Sequence, residues 1–412
     1  MITIDDPEMC SGCGACIESC PQGCISFKSD CEGFLYPEIN EIKCVKCGIC
    51  DTVCPFLNCI ENLHYDPVVI AAKANDDQIR FTSSSGGLFS VLALNVLHQD
   101  GYVCGAVMSD DLRSVHHIII KDEEELYRMR GSKYVPCEMG SIYSKVKKLL
   151  DLGKIVLFSG VSCQIAGLNS YLKKSYENLY TIEILCHGVP SPILWQKYLD
   201  YWEKKHNANV VDIGFRSKRF SWRQLGNVYS DKQSKRCYEF AFVNPYFRMF
   251  NSEMALRKSC YRCRVKQGRS GADISLGDFW HLEDFRPDFY DNKGISLVLI
   301  NTEKGNNLFA SVHEDIKYTC DGIDFEKVAR FNPGVSRSLT TSSERTSFYI
   351  DINNMRFKRF IRKYVHLPLR RRIKAKLTQT QLWKMLSILL GREIINNEYC
   401  FDFSVVSKHS RE

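Results

Sequence analysis

Eight cysteines in the first 55 residues form two runs with identical spacing, each followed by a proline. The members are Cys10, Cys13, Cys16 and Cys20 before Pro21, and Cys44, Cys47, Cys50 and Cys54 before Pro55. In such runs the first three thiolates bind three irons of one [4Fe-4S] cubane, and the fourth thiolate binds the other cubane. The spacing therefore predicts two clusters that carry single electrons. Cluster 1 would be held by Cys10, Cys13, Cys16 and Cys54, and cluster 2 by Cys44, Cys47, Cys50 and Cys20.

Zinc knuckles or a disulfide knot are the alternative use of these cysteines. A zinc site closes with four ligands, which a duplicated run of four cysteines plus proline fits poorly. Disulfides would suit a secreted protein, but the start of the chain has neither a basic n-region nor an apolar h-region. We therefore expect the 20 cysteines to stay reduced in a cytoplasm.

Four more cysteines lie far apart in the middle of the chain: Cys163, Cys186, Cys260 and Cys263. The first two each follow a predicted strand at its carboxyl end, where open α/β sheets place their sites. Two strand ends and one Cys-x-x-Cys pair could supply four thiolates to a third [4Fe-4S] cluster, cluster 3. The residues alone leave open a zinc half-site or a surface thiol pair at Cys260 and Cys263, with Cys163 and Cys186 as small buried side chains.

Two-electron chemistry would need a group that exchanges both single electrons and pairs, and a flavin is the usual one. The only Gly-x-Gly segment, Gly12 to Gly14, lies in a cluster loop, so a flavin would bind without the Rossmann fingerprint. A Ser-Gly-Gly segment that opens a predicted helix suits a phosphate, although such a segment is more often only a helix cap. A second segment adds a turn, a cation and an aromatic face. The two segments are Ser84, Ser85, Gly86 and Gly87, and Gly131, Ser132, Lys133 and Tyr134.

Asp278 follows a predicted strand at residues 272–276. A carboxylate at that strand end could orient a ligand or a lysine. The alternative is an ordinary turn that carries Trp280 into the core.

The elements that must position these residues alternate between strand and helix after residue 67. Periodicity predicts strands at 68–72, 102–108, 115–121, 154–158 and 180–185, and helices at 86–98, 138–152, 164–173 and 192–205. Shorter aromatic, strand-like pieces follow at 211–216, 238–242 and 295–301. We predict a ferredoxin-like module over residues 1–62, an α/β domain with a mixed sheet and an α+β extension over 68–335, and a helical tail over 340–412.

The basic character of the chain belongs to this tail. The formal net charge is +7, and residues 352–392 hold 12 Lys or Arg with no Asp or Glu. The rest of the chain is mildly acidic, so we predict no nucleic-acid partner. In the tail, Phe357, Phe360, Ile361, Tyr364 and Val365 follow the helical period opposite a basic face. Such a helix could lie on an anionic membrane surface, dock on an acidic partner or pack on its own domain.

Together these segments resemble the coenzyme F420 hydrogenase/dehydrogenase beta-subunit family, including its ferredoxin-fused members. The resemblance covers about residues 1–330 and rests on the order and spacing of the motifs. Besides the cysteines, the motifs are Ser84–Gly87, Gly131–Tyr134, Gly160–Gln164, Cys186–Ser191, Phe215–Lys218, Ala272–Ile274 and Gly277–Trp280.

The resemblance implies FAD in the α/β domain, a cluster held by the four central cysteines, and hydride exchange at the flavin. Coenzyme F420 is one candidate substrate, but the family also contains reductases of other substrates, such as chlorophyll-type pigments. The expected cofactor contacts are Ser84, Ser85, Gly86, Gly87, Gly131, Ser132, Lys133, Tyr134, Gly160, Gln164, Gly277 and Asp278. Candidates for polar contacts to flavin or substrate are Lys133, His187 and Lys218.

One departure from the family pattern lies beside a predicted ligand. The family usually has Gly-Thr-Pro-Cys-Gln where this chain has Gly160, Val161, Ser162, Cys163 and Gln164. The cysteine and glutamine remain, so ligation is retained. The loss of the threonine hydroxyl and the rigid proline leaves the cofactor contacts there less defined.

We therefore predict an iron-sulfur flavoprotein oxidoreductase that couples hydride chemistry at a flavin to one-electron transfer through [4Fe-4S] clusters, with reduced coenzyme F420 or ferredoxin as donor. The alternative is a non-catalytic electron-transfer subunit of a larger redox complex or biosynthetic pathway. Expected partners are a redox protein or a small-molecule electron donor, with membrane-surface contact through the tail. The expected location is the cytoplasm, including the inner face of the membrane.

Overall fold

The computed structural model of the chain describes residue 2, residues 6–59, 64–336 and 338–365, and residues 368, 370, 371, 373 and 377. Its strands are β1 (Ile25–Ser29), β2 (Leu35–Ile39), β3 (Val68–Ala74), β4 (Tyr102–Met108), β5 (Val115–Ile120), β6 (Cys137–Glu138), β7 (Val156–Val161), β8 (Leu179–Ile184), β9 (Val210–Ser217), β10 (Gly226–Asp231), β11 (Arg236–Phe240), β12 (Ile274–Asp278), β13 (Ser296–Ile300) and β14 (Ile316–Thr319). Its helices are α1 (Ala15–Glu18), α2 (Ile49–Thr52), α3 (Asp77–Thr82), α4 (Leu88–His98), α5 (Ile142–Asp151), α6 (Ser162–Leu172), α7 (Pro192–His206), α8 (Pro245–Asn251), α9 (Lys258–Tyr261), α10 (Glu303–Ala310), α11 (Phe325–Phe331), α12 (Pro333–Ser336), α13 (Arg345–Asn354) and α14 (Phe357–Tyr364). Short 3-10 helices cover Pro7–Met9, Glu123–Arg128, Leu282–Asp284 and His313–Asp315.

The two cysteine runs fold in the same way. In each run the third cysteine lies in a one-turn helix, Cys16 in α1 and Cys50 in α2. A glycine precedes each helix in the left-handed region, Gly14 at φ 82° and Gly48 at φ 75°, where side chains other than glycine are strained. Strands β1 and β2 form an antiparallel hairpin between the runs. The duplicated sequence therefore produces a duplicated cysteine loop.

A mixed sheet forms the centre of the described structure, with strand order β14-β3-β13-β12-β8-β7-β4-β5-β6. Strands β12, β8, β7 and β4 are parallel to one another, so the loops after β7, β8 and β12 meet at one edge. Strands β14, β3 and β13 pair in antiparallel fashion on one side. The predicted α/β architecture with a mixed sheet is confirmed, and the predicted elements between residues 68 and 205 are present with ends shifted by a few residues.

The cysteine module packs directly on one face of this sheet. Buried Ala15, Val53 and Phe56 share a core with side chains of α5, α6 and the sheet. The Glu18 carboxylate accepts hydrogen bonds from the backbone amides of Tyr143 (3.1 Å) and Ser144 (2.9 Å), the first turn of α5. Helices α4 and α10 cover the opposite face. The module is therefore part of the main core.

The α+β extension contains an antiparallel sheet of β11, β10 and β9, packed with α7 and α8. The segment 295–301, predicted to belong with this extension, instead forms β13 in the large sheet between β3 and β12. All five residues of β13 are buried, because it lies between two strands and under both layers of helices. The continuous apolar run of this segment is the reason for its central position.

The tail helix α14 packs on its own domain. Phe360 is buried against Phe348 of α13, and Phe357 contacts Tyr201 of α7. Within the residues that the structure describes, no helix is both long and apolar enough to cross a membrane. The predicted tail beyond residue 377 lies outside the described residues.

Candidate cofactor cavity and cluster sites

A cavity of about 750 Å³ lies at the carboxyl edge of the parallel strands. It brings together most of the cofactor contacts predicted from the sequence. Those that line it are Ser84, Ser85, Gly87, Gly131, Ser132, Lys133, Tyr134, Gly160, Gln164, Gly277 and Asp278. Cys13, Cys163, Cys186 and His187 also line it. The Ser-Gly-Gly segment and the cysteine loops therefore share one space.

Gly86 does not line the cavity. Its amide donates to the Ser296 hydroxyl at 3.0 Å, and a Cβ there would lie 2.5 Å from the Ala72 carbonyl oxygen. Only glycine lets this loop lie against β3 and β13. Gly86 therefore shapes the loop that presents Ser84 and Ser85.

One end of the cavity has the groups of an anion site. The Ser84 hydroxyl accepts hydrogen bonds from the amide (2.8 Å) and hydroxyl (2.9 Å) of Ser132, which joins the two predicted segments. Helix α4 begins beside them, after Gly87 at φ 92°. Arg130 lines the same cavity, and its buried Nε has no hydrogen-bond partner among the described residues. A helix N-terminus, two hydroxyls and a guanidinium are suited to phosphate.

The two lysine candidates are engaged by backbone oxygens. The Lys133 ammonium donates to the carbonyls of Met129 (2.9 Å), Arg130 (3.1 Å) and Gly131 (3.2 Å), and burial lowers its pKa to about 7. Because all three of its protons are used, Lys133 holds the turn that carries the cavity residues.

Lys218 repeats this arrangement at a second loop. Its ammonium donates to the carbonyls of Arg80, Ser85 and Lys293, and the side chain does not line the cavity. Burial lowers the pKa of Lys218. The contacts of Lys218 fix the Ser85 loop, so its structure supports a positioning role.

His187, the third candidate, lines the cavity. Its Nε2 is buried and has no hydrogen-bond partner among the described residues, and the nearest carboxylate oxygen, of Glu253, is 3.8 Å away. Burial lowers the pKa of His187, which favours the neutral ring. The ring is therefore able to donate to or accept from a bound molecule.

Asp278 orients an arginine that the sequence analysis did not select. Its carboxylate binds the Arg216 guanidinium through both oxygens and accepts from the Trp222 indole N–H at 3.2 Å. Arg216 has φ of 58°, a strained value for a residue with a side chain, at the end of β9. Trp280 stacks on Trp222 with ring centroids 4.8 Å apart and lines the cavity instead of filling the core. Arg216 belongs to the motif at 215–218, but its contact with Asp278, 62 residues further along the chain, is visible only in the folded structure.

The four central cysteines lie near one another, and two of them, Cys163 and Cys186, line the cavity. Burial raises the pKa of the Cys163 thiol, and the nearby sulfurs of the other three raise it further. The Cys260 sulfur also accepts the Val189 amide at 3.3 Å. Among the described cysteines, no three sulfurs lie within 4.8 Å of one another, whereas a tetrahedral zinc site needs ligand sulfurs about 4 Å apart. No three of these sulfurs are therefore placed to bind one zinc ion.

The same holds for the N-terminal runs. Burial raises the pKa of Cys16, and the nearby sulfurs of Cys13, Cys10 and Cys54 raise it further. Cys54 of the second run therefore lies close to the cysteines of the first run, as the spacing predicts. Cys24, which is not one of the predicted ligands, has its sulfur 3.4 Å from that of Cys20. Cys24 also lies near Cys44, so Cys20 is on the same side of the module as Cys44.

The first and third cysteine groups adjoin each other across α6. The Cys13 sulfur lies 3.2 Å from the position of a Cβ on Gly167, and it also raises the pKa of Cys163. The Tyr143 hydroxyl donates to the carbonyl oxygens of Cys13 (3.0 Å) and Gln164 (3.2 Å). Cluster 1 and cluster 3 would therefore be neighbours.

Ser162, where the family usually has proline, has a clear structural role. Its hydroxyl donates to the Glu183 carboxylate, which is buried and also accepts from Ser270 (2.9 Å) and Ser275 (3.0 Å). Burial raises the pKa of Glu183. A proline at position 162 could not donate this hydrogen bond, so the serine and the buried carboxylate belong together.

A cysteine outside the predicted sets also lines the cavity, and a buried histidine contacts it. Cys137 lines it, with its sulfur 3.1 Å from Nδ1 of His117, and Nε2 of His117 is 2.9 Å from the Ser159 carbonyl oxygen. Burial lowers the pKa of His117 to about 4, so the ring is neutral, donates from Nε2 and accepts the thiol proton at Nδ1. No spacing in the sequence links these two residues.

Comparisons with known families agree with this architecture. Residues 69–144 match the N-terminal model, and residues 153–325 the C-terminal model, of the coenzyme F420 hydrogenase/dehydrogenase beta subunit. Residues 9–58 match a 4Fe-4S dicluster domain.

Two curated relatives and one solved structure are similar to the chain. The coenzyme F420-dependent sulfite reductase of Methanocaldococcus jannaschii is 24% identical over 367 residues, which cover 84% of this chain and 53% of that protein. The chain thus spans about half the length of that relative. A subunit of the F(420)H(2) dehydrogenase of Methanosarcina mazei is 21% identical over 325 residues, 75% of this chain and 84% of its own length. A chain of the F420-reducing [NiFe] hydrogenase complex from Methanosarcina barkeri aligns with 68% of this chain and 99% of its own length, at 16% identity and a TM-score of 0.43.

Proposed function

The chain belongs to the coenzyme F420 hydrogenase/dehydrogenase beta-subunit family, and we propose that it is an iron-sulfur flavoprotein that couples two-electron chemistry in the cavity to one-electron transfer through three clusters. The observation that carries this proposal is the composition of the cavity wall. One part contains Cys13, Cys163 and Cys186, and another contains the anion site at Ser84 and Arg130. A cofactor bound by its phosphate in this space would lie against cluster ligands.

The cavity residues fit a flavin nucleotide. A volume of about 750 Å³ is in the usual range for cofactor sites. Ser84, Ser132, Arg130 and the start of α4 would hold the phosphates, because the free Arg130 Nε and the helix amides are donors that need an anion. When bound, a flavin supplies exchange between electron pairs and single electrons.

Other side chains of the cavity would hold and orient the reacting molecules. His187 offers its free Nε2, and Arg216, held by Asp278, offers a fixed positive charge beside the ring of Trp280. Their aromatic and cationic character suits a planar, anionic substrate such as a deazaflavin. The relatives named for coenzyme F420 support that substrate class.

The cysteines would hold three [4Fe-4S] clusters in the sets given above. Cluster 2 would lie closest to solvent, since Cys47 is exposed, whereas all eight ligands of clusters 1 and 3 are buried or partly buried. An external redox protein would therefore meet the chain at cluster 2. The exposed basic face of α14 remains a contact surface for an anionic membrane or an acidic partner, while Phe360 of its apolar face is already buried.

The experiment that tests this function is cofactor analysis of the protein purified without oxygen. We expect one flavin released by acid per chain and about 12 iron atoms, four for each cluster. Arg130→Gln should retain at least tenfold less flavin than wild type while keeping its iron, because a phosphate would lose its charged partner. Arg128→Gln is the control, since Arg128 pairs with Glu125 outside the cavity lining. A protein with full iron and no flavin would contradict the proposal and indicate an electron-transfer subunit.

A further inference from the structure

Arg257 lies between the first and third cysteine groups and has no assigned role in the cavity. Its backbone belongs to the third group: its amide donates to the Val189 carbonyl at 2.9 Å, and its carbonyl accepts the Cys260 amide at 3.0 Å. Its side chain extends to the first group. Nε donates to the Cys10 carbonyl at 2.7 Å, and Nη2 lies 3.5 Å from the Cys10 sulfur.

The guanidinium is buried and has no ion pair with a carboxylate among the described residues. Arg257 is only 4% exposed. Its other contact is the Leu35 carbonyl, at 2.8 Å from Nη2, and the rings of Tyr36 and Phe34 lie 4.3 and 5.5 Å away. A buried cation held only by neutral acceptors and aromatic faces is unfavourable unless an anion is close. The thiolates and the cubane of cluster 1 would supply that anion.

The local sequence leaves room for this arrangement. A Cβ on Gly12 would lie 3.1 Å from Nη1 of Arg257, closer than ordinary contacts. Gly12 has φ of 73°, so any other residue would be strained as well as crowded. The loop of the first cysteine run is therefore shaped to accept the guanidinium.

We infer that Arg257 is the counter-ion of cluster 1, and that its charge raises the reduction potential of that cluster relative to cluster 2. The inference rests on the proposed function only for the presence of cluster 1. A cluster gains one negative charge on reduction, and a buried positive charge with an N–H directed at a ligand sulfur stabilises the reduced form. No bond forms or breaks, and the electron comes from the external reductant. A raised potential at cluster 1 favours electrons on this cluster, whose ligand Cys13 lines the cavity, over cluster 2.

The test is an anaerobic redox titration with dithionite, followed by electron paramagnetic resonance, after iron has been counted. In Arg257→Gln we expect one cluster signal to move to lower potential and the others to move less. Arg257→Lys, which keeps the charge, should lie between this variant and wild type. The control is Arg262→Gln, because Arg262 is close by in the chain and pairs with Glu8, but its side chain is 71% exposed and its charge is screened. Its titration should match wild type.

Each outcome decides the inference. Equal potentials in wild type and Arg257→Gln, or the same shift in Arg262→Gln, would overturn it. If Arg257→Gln lacks about four iron atoms that Arg257→Lys retains, the charge is needed to hold the cluster, which supports the inference. Loss of iron from both variants would show that Arg257 acts through packing and would overturn it. A wild-type protein without clusters would instead contradict the proposed function.

Discussion

The N-terminal cysteine runs and the third cysteine group differ in how the chain brings their sulfurs together. Cys10 to Cys54 lie on two short loops, each with its own glycine and one-turn helix, so spacing along the chain sets the positions of the sulfurs. Cys163, Cys186 and the Cys260 pair come from α6, from the loop after β8 and from α9, which only the folded sheet brings together. The first kind of site is coded locally, and the second depends on the whole domain.

This difference also explains why the two sites adjoin. The module packs on α5 and α6, and Cys163 lies in the first turn of α6. Cys13 therefore reaches Gly167 on the face of α6 that is directed toward the module. A locally coded electron carrier is thus joined to a site that exists only when the sheet is formed. Variants in the two regions should behave differently.

The largest expected effect comes from removing one ligand of each kind of site. Cys47→Ser and Cys260→Ser should each reduce the iron content from about 12 to about 8 atoms per chain. Cys260→Ser should also lower the thermal midpoint and the flavin content, because its cluster would link three buried elements, whereas Cys47 is exposed. The measurements are iron analysis, calorimetry and flavin release under anaerobic conditions. An unchanged iron content in Cys260→Ser would rule out the third cluster.

A second expected effect concerns a charge pair that joins distant segments beside the cavity. Asp291 binds the buried Arg80 guanidinium across 211 residues, and it also binds Lys73 at 2.9 Å. Removing its charge in Asp291→Asn leaves Arg80 buried without a carboxylate, which should cost about 3 kcal/mol in the free energy of unfolding. Asp288→Asn is the control, because the Asp288 side chain that pairs with Arg286 is 62% exposed. Losing this pair should lower the free energy of unfolding by less than about 1 kcal/mol. Urea denaturation at pH 7 compares the two.

The same pair gives a pH dependence with a defined sign. Despite burial, which acts in the opposite direction, the Arg80 and Lys73 partners lower the pKa of Asp291 from 3.8 to about 2. The unfolded chain therefore binds the proton more readily than the folded chain. The contribution of the ionised Asp291 to the free energy of unfolding is complete above about pH 4 and is lost as the pH falls through about 2. It amounts to about 2 kcal/mol. If wild type and Asp291→Asn lose stability equally between pH 4 and pH 2, the pair does not contribute.

The same contrast determines which features of the fold and of the site can be predicted from the sequence. The two runs, the alternating strands and helices of residues 68–205, and the mixed sheet follow from spacing and periodicity, which are local signals. The strand partners of β13 and the pairing of Arg216 with Asp278 depend on contacts between distant segments; the apolar run of β13 indicates its burial but not its neighbours. The lysine candidates show the same limit of prediction from the sequence. Lys218 was predicted to contact flavin or substrate, but its ammonium donates to three backbone carbonyls.

The smallest expected effect tests the contact that joins the two regions. The Glu18 carboxylate of the module accepts two amides in the first turn of α5, and such a cap is worth about 1 kcal/mol. Glu18→Ala should lower the free energy of unfolding by this amount and increase hydrogen exchange of the Tyr143 and Ser144 amides, because both lose their acceptor. Glu38→Ala, in the exposed pair with Lys28, should cost less than about 0.5 kcal/mol and leave those amides protected. If the two variants exchange equally, the module does not stabilise α5 through Glu18, and apolar packing with the remaining polar contacts, such as that of the Tyr143 hydroxyl with the Cys13 carbonyl, joins the locally coded region to the sheet.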